Sequence, residues 1–431
     1  IAIGQYATAS GYGSNIALGD YATASGAYAT SLNGNATGGR SLAWEGTASG
    51  YTSLAMGWGS ESSGVGSVAL GGSPGSITSA SGDYSFAVGK SVIAPGLTST
   101  AMGESTTASG DNSTSMGFFT TAVGTRSTAM GESTIASGGT STAMGYATEA
   151  SGYYSTAMGR NTSAVGNNSV SMGYNTTASG VYSVVMGSST TASGYAAVSM
   201  GTYTTASGVY STAMGTGTTA SGYTSTSMGV GTMAQGASST AMGKFTSASG
   251  EASTAMGRST SASGDYSTAS GYNSSASGDY STAMGDSALA TGNYSFAVHG
   301  EAALEKTIAI GVLSQALGAE SMAFGSSAIA SATAGNSVAI GNGSNTAGGG
   351  SSAFGYGANA TSTFAAALGA NSTASGDYSV AAGMNSVASL NKSVSIGFGV
   401  VANRESTVHV SNLSIMSIPT ASTGLPSGAV W

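Results

Sequence analysis

Histidines, carboxylates and hydroxyls carry most enzyme chemistry, and none is spaced for it here. His299 and His409, the two histidines, stand 110 residues apart. His299 precedes Gly300, where the surrounding pattern places methionine, so a structural role is expected of it. Asp83, Asp265, Asp279 and Asp377 each sit in a Gly-Asp-Tyr-Ser run. Calcium-binding rolls repeat aspartate on a nine-residue cadence, whereas scattered carboxylates read as solvated turns that hydrogen-bond locally. No nucleophile elbow, zinc spacing or phosphate loop occurs, and the glycine-rich runs belong to a repeat and are no nucleotide fingerprint. The chain lacks cysteine, which excludes disulfides and thiolate metal sites. Catalysis, a cofactor and a bound metal are therefore not expected.

The residues that do recur suit contact. Met102, Met116, Met130, Met144, Met158, Met172, Met186, Met200, Met214, Met228, Met242, Met256 and Met284 fall on one fourteen-residue cadence, broken by Ser270, which adds one polar layer. Left in water, such a column would be an apolar patch of unusual size, so it must face another surface. A second column carries hydroxyls, among them Thr107, Thr177, Thr191, Thr205 and Thr219 with Ser109, Ser179, Ser193, Ser207 and Ser221. Such ladders bring ice binding to mind, but Ile135, Glu149, Val165, Met233 and Gln235 interrupt this one. Asn-x-Ser/Thr triplets at Asn112, Asn161, Asn175 and Asn371 follow largely from composition and matter only where exported proteins are glycosylated.

Glycines from Gly103 to Gly285 fall every fourteen residues without insertion, with a second glycine midway. That period is too short for two-helix solenoids and fits one small β-coil per repeat. Gly131–Ser137 and Gly138–Met144 are its two halves. Side chains alternate across a strand, so Thr134 and Ala136 share a face, as do Ser141 and Ala143. These small residues are the predicted interior, opposed more closely than the usual ~10 Å between sheets. Glycine opening each half is expected to supply the turn. Tyr154, Thr156 and Met158, like Tyr182, Val184 and Met186, are expected along one strand face. Coils stacked about 4.8 Å apart from Gly4 to Gly397 make about 28 layers, a rod on the order of 130 Å long. Spacing slips from Gly71 to Gly89, Gly285 to Gly300 and Gly325 to Gly341, and Asn33–Gly57 is irregular with Trp44 in the methionine register. Such slips are expected at surface turns.

Composition agrees. Seventy glycines, 6% charged residues and 8% aromatics leave little bulky material for one chain to bury, so a partner is needed, most simply copies of itself. Nine Lys and Arg against seventeen Asp and Glu give a net charge of −8. Without a basic cluster, nucleic acid is not an expected partner, and no apolar run reaches the roughly 18–20 residues that span a bilayer.

Coils ending S-V-A-I-G at Ser337–Gly341, with T-I-A-I-G at Thr307–Gly311 and S-V-S-I-G at Ser393–Gly397, resemble the head repeat of trimeric autotransporter adhesins, the YadA-like head. The resemblance covers roughly residues 1–400. It implies an all-β fold, a left-handed parallel β-roll of about fourteen residues per coil assembled as a homotrimer. It also implies that Val338 and Ile340 line the trimer axis, and by register the methionine column does the same. Methionine in place of the aliphatic pair makes that axis softer. After Gly397 no match to the family's neck, stalk or membrane-anchoring barrel is found. Ser406–Pro419 alternates like one or two strands, and Thr420–Trp431 is similar to C-terminal segments of phage and large-virus tail or fibre proteins.

Four segments follow: irregular coils over 1–100, the regular methionine array over 101–285, S-V-A-I-G coils over 286–400, and a strand, cap or linker over 401–431. The expected function is an extracellular attachment fibre on a virion tail or cell surface, meeting a host or environmental receptor (glycan or protein). Recognition would be weak per coil and multiplied by chains and repeats. Contacts are expected at the hydroxyl ladder, at the turn tyrosines Tyr195, Tyr223 and Tyr272, and at Asn33–Gly57 and Ser287–Lys306. The alternative is a passive spacer whose binding is done elsewhere.

Overall fold

A computed structural model describes residues 1–331, 333 and 335–411; the expectations for 412–431 lie outside the described residues. The chain divides into two units, Ile1–Ser238 and Ser239–Trp431. Among the described residues, regular structure is all strand, and within each unit every strand pairing is parallel. Each residue pairs with the one a coil later: Thr128 with Thr142, Met130 with Met144, Ile135 with Glu149. The fold is a parallel β-solenoid of about fourteen residues per turn.

The interior is as small as the alternation predicts. Thr134, Ala136, Ser141 and Ala143 are fully buried. Hydroxyl pairs cross the coil where the sequence supplies them: Ser115 with Thr120 at 2.7 Å, Ser171 with Thr176 at 2.8 Å, Ser199 with Thr204 at 2.7 Å and Ser227 with Thr232 at 2.7 Å. In neighbouring coils alanine stands in place of that serine, at Ala101, Ala129, Ala143 and Ala157. There the hydroxyls of Thr106, Thr134, Thr148 and Thr162 have no hydrogen-bond partner.

The turns differ from expectation. In both halves the left-handed backbone falls two residues after the glycine, in most coils on a residue with a side chain, such as Ser133 at φ 54°, Thr140 at 55° and Tyr154 at 57°, and in a few on glycine, such as Gly217 and Gly231. Such a conformation costs roughly 1–2 kcal/mol for an L-residue. Axial bonds hold it in place, since Ser133 N donates to Phe118 O at 2.8 Å and Thr140 N to Thr125 O at 2.8 Å. Gly131 has φ 121°, but Gly138 has ordinary backbone. Gly138 is required by proximity, because a Cβ there would lie 2.0 Å from the Gly152 carbonyl oxygen. Tyr154 and Tyr182 accordingly belong to a turn and not to the strand face, since alternation stops where φ changes sign.

Irregular coils keep their strands in register and alter their turns. Gly71 pairs with Gly89, and the extra residues form a loop in which Ser73 and Ser76 make an antiparallel bridge. Elsewhere a turn is shortened by two residues. Leu32 pairs with Trp44 and Trp44 with Met56, each twelve residues on, and Val298 pairs with Ile310 likewise. At the shortened turns Asn33 (φ 51°), Glu45 (φ 56°) and His299 (φ 53°) each precede a glycine that stands in the buried threonine position. Val298, opposite Met284, therefore holds the methionine register that the sequence reading assigned to His299, and His299 falls beside Gly285. Toward the C-terminus, Val408–Val410 pairs with Val394–Ile396.

Replacing Ser115 by alanine should strand the buried Thr120 hydroxyl and destabilise the fold by about 1–3 kcal/mol, whereas Ala129→Ser should supply Thr134 with a partner and stabilise it or leave it unchanged. Chemical denaturation of the two variants checks the opposite signs. Gly138→Ala should be far more damaging than either, because the obstruction is backbone.

Candidate functional site

With the interior sealed, everything able to meet another molecule lies on two strand faces and two turns. On the first face, the methionines pair in unbroken register from Met102 to Met228 in the first unit. In the second unit Met242, Met256, Ser270 and Met284 follow one another, and the same register continues through Val298, Ile310, Phe324 and Ile340 to Phe354. Most of the column and Val338 are half-buried, while Met186, Met284 and Ile340 are exposed by 40%, 43% and 38%. Coil stacking covers one side of these chains and leaves the other open.

The second face carries Thr177, Thr191, Thr205 and Thr219, all half-buried, with exposed Ser179, Ser193, Ser207 and Ser221. Exposed Ile135, Val165 and Met233 break it, so it offers no continuous lattice of hydroxyls for ice.

The predicted turn tyrosines separate. Tyr195 and Tyr223 belong to the turn after the midway glycine, where edge-on contacts run Tyr182–Tyr195 at 5.5 Å, Tyr195–Tyr210 at 5.6 Å and Tyr210–Tyr223 at 6.0 Å. Tyr272 ends strand Thr268–Tyr272 at the opposite turn, with the Arg258 guanidinium 5.5 Å from its ring. Arg160 sits likewise between Tyr146 and Tyr174, at 5.5 and 5.7 Å.

Two features of the turns escaped the sequence reading. Tyr266, Tyr280 and Tyr294 stack face to face at 5.0 and 4.9 Å with planes 5° and 2° apart, so their fourteen-residue spacing was the available signal. Beside them the aspartates bond along the axis, not locally. Asp265 Oδ1 accepts from Glu251 N at 2.8 Å, Asp279 Oδ1 from Asp265 N at 3.0 Å, and Asn293 Oδ1 from Asp279 N at 2.9 Å. Asp83 and Asp377 accept from Val65 N and Thr363 N in the same way. Each carboxylate thus ties down the amide of the coil before it. Among the described residues no group of three or more His, Asp or Glu is placed to hold a metal. Asn112, Asn161, Asn175 and Asn371 all occupy left-handed turn positions.

The shortened turn at His299 opens a groove of about 660 Å³ in the second unit. His299 Nδ1 accepts from Asp286 N at 3.0 Å, which fixes the ring against the coil before it. His409 lies apart from this groove, opposite Ser395, with its Nε2 2.9 Å from Thr407 Oγ1.

A stacked, parallel, all-strand coil with a sealed small-residue interior and a half-open apolar column defines a β-solenoid built for surface contact. The chain belongs to the YadA head family: the YadA head domain repeat matches residues 16–32, 48–73, 94–120, 122–218, 220–246, 248–274, 276–298, 305–328 and 332–399, well over half of the sequence. The intervals 33–47, 74–93 and 299–304 fall outside the matches, and the shortened turns and the Ser73–Ser76 loop lie at or in them. No curated protein matches the chain. Heads of this family are adhesin-like surface structures, typically structural and not enzymatic, and the family implies a trimer. Among the described residues no helix is long and apolar enough to cross a membrane.

Tyr280 is held above the ordinary tyrosine value, first by desolvation between its neighbours and then by the nearby Tyr266, Tyr294, Asp279 and Asp265. A raised value favours the neutral phenol, so its contribution is intact below about pH 10 and is lost as pH climbs through the folded value. Difference absorbance titration of the chain against Tyr280→Phe should therefore give a midpoint above 10; a midpoint at or below it would remove the stacking account.

Proposed function

We propose that three copies of this chain assemble about the methionine face into an extracellular fibre that attaches to a host or environmental surface. The observation that carries this reading is the methionine column, Met102 to Met228 in the first unit and Met242 to Met284 in the second, half-open in the single chain, where the interior among the described residues is glycine, alanine, serine and threonine with an occasional valine and Asn15. Covering the open side of each methionine contributes on the order of 1 kcal/mol, multiplied by the number of coils. Val338 and Ile340 continue the same axis. Attachment falls to what then faces outward, namely the hydroxyl face at Thr177, Thr191, Thr205 and Thr219 and the turn residues Tyr195, Tyr223 and Tyr272. In this reading residues 1–100 and 286–400 carry specificity through their altered turns. Residues 101–285 extend the fibre and repeat the hydroxyl and tyrosine contacts along it, and 401–431 serve as a strand, cap or linker. A virion tail as the setting rests on the likeness of Thr420–Trp431 alone; a cell-surface appendage needs only the family.

One observation favours a spacer role for the middle of the chain, since Gly103 to Gly285 repeats with no altered turn. Deleting whole fourteen-residue units there should shorten reach without loss of affinity if it is a spacer, and should lower affinity in proportion if it binds.

Aspartate at Met130, Met144 and Met158 together should dissociate the assembly, read as a fall in mass by light scattering. A variant that keeps the native mass would overturn the axis assignment.

A further inference from the structure

The groove at His299 exists because one turn is missing two residues. Coils on either side carry two more residues at this turn, Asp286–Ser287 in the coil before it and Val312–Leu313 in the coil after it, while the coil between them turns on His299 alone (φ 53°), where the register shifts between Val298 and Gly300. Two coil steps separate the flanking turns, roughly 9.6 Å at about 4.8 Å per step. That is wide enough for an extended side chain to lie between them. One wall is aliphatic: Val312 and Leu313 are exposed by 58% and 72%, and Leu289 and Ile329 line the groove half-buried. The other groups are acidic or neutral. Asp286 and Glu301 are the charged residues of the lining, with no lysine or arginine among them. Glu301 Oε2 accepts from Gln315 Nε2 at 2.9 Å, and Asp286 Oδ1 from Ser287 Oγ at 3.0 Å. Neither carboxylate has an ion-pair partner among the described residues.

The geometry points to a binding notch for a partner-protein segment that lays a lysine or arginine side chain across the groove, its aliphatic stem against Leu313 and Ile329 and its charge between Asp286 and Glu301. Long basic side chains bury their stems on apolar surface while the head stays with polar groups, and this groove supplies both parts. Charge argues against a second copy of this chain as the occupant. The chain holds nine basic residues against seventeen acidic ones and is −8 overall, so a copy brings mostly repulsion. The notch deepens the attachment reading, and rests on it, by naming the chemistry of one contact.

The test uses the full chain with n-hexylammonium as the probe and hexanoate, equal in carbon count and opposite in charge, as its control. Methyl NMR of Leu313 and Ile329, together with the His299 ring signals, should shift saturably with n-hexylammonium and not with hexanoate. The double variant Asp286→Asn, Glu301→Gln should weaken the probe by at least about fivefold. Inserting two residues between His299 and Gly300 restores the fourteen-residue coil that neighbouring coils already use, and should abolish the shifts. Equal shifts from both probes, no saturable shift, or an insertion variant that still binds would overturn the notch. Surface attachment of the same preparations is measured in parallel. Attachment without probe binding overturns the notch alone, and probe binding without attachment overturns the attachment reading alone.

Discussion

At Gly138 a β-carbon would stand 2.0 Å from the carbonyl oxygen of Gly152, and the same clearance recurs at Gly180, Gly194 and Gly208. Successive coils are in backbone contact at each of these midway turns, closer than any side chain permits; Leu304, Ser362 and Leu390 hold the midway position in later coils. That contact brings the turn amides within reach of the preceding coil, so axial hydrogen bonds continue through strands and turns alike. The bonds in turn hold a side-chain-bearing residue in left-handed conformation at nearly every seventh position. An unfavourable backbone is thus sustained by neighbours that would not be there without the glycine.

Such tight coils leave room inside for almost nothing larger than threonine; Val92 and Val185 are the exceptions among the fully buried side chains. All bulky residues are driven outward, where they form columns one coil apart: methionine on one strand face, tyrosine and arginine at the turns. The same repeat that stabilises the backbone therefore multiplies each surface group. A contact that is weak at one coil becomes a strip. Variation enters where a turn gains or loses residues, because the strands stay in register through the change. The shortened turns at Asn33, Glu45 and His299, the loop at Ser73–Ser76 and the longer coil between Phe324 and Ile340 are among the places where the surface ceases to be periodic.

Much of this was legible in the residues. The period, the inward set of Thr134, Ala136, Ser141 and Ala143, and the outward methionine column all follow from counting and from strand alternation. What could not be read was the turn. Alternation carried from Met158 back to Tyr154 places the tyrosine on the strand, but φ reverses sign at Tyr154 and ends the pattern. Counting back from Gly300 gives His299 the methionine position, but Gly300 stands in the threonine position and Met284 pairs with Val298, one residue earlier, because the two missing residues fall in the turn after Val298. Glycine was credited with the bend at both halves, although at Gly138 its role is clearance and not φ. Pairwise contact between coils decides each of these, and a single coil's sequence does not contain it.

The central claim is that the methionine face looks toward other copies of the chain while the threonine face looks away. Because the chain has no cysteine, single substitutions to cysteine report proximity without background. Oxidation of Met158→Cys should give disulfide-linked pairs of chains, and Thr191→Cys under the same conditions should give none. Pairing at Thr191→Cys with none at Met158→Cys would contradict the account.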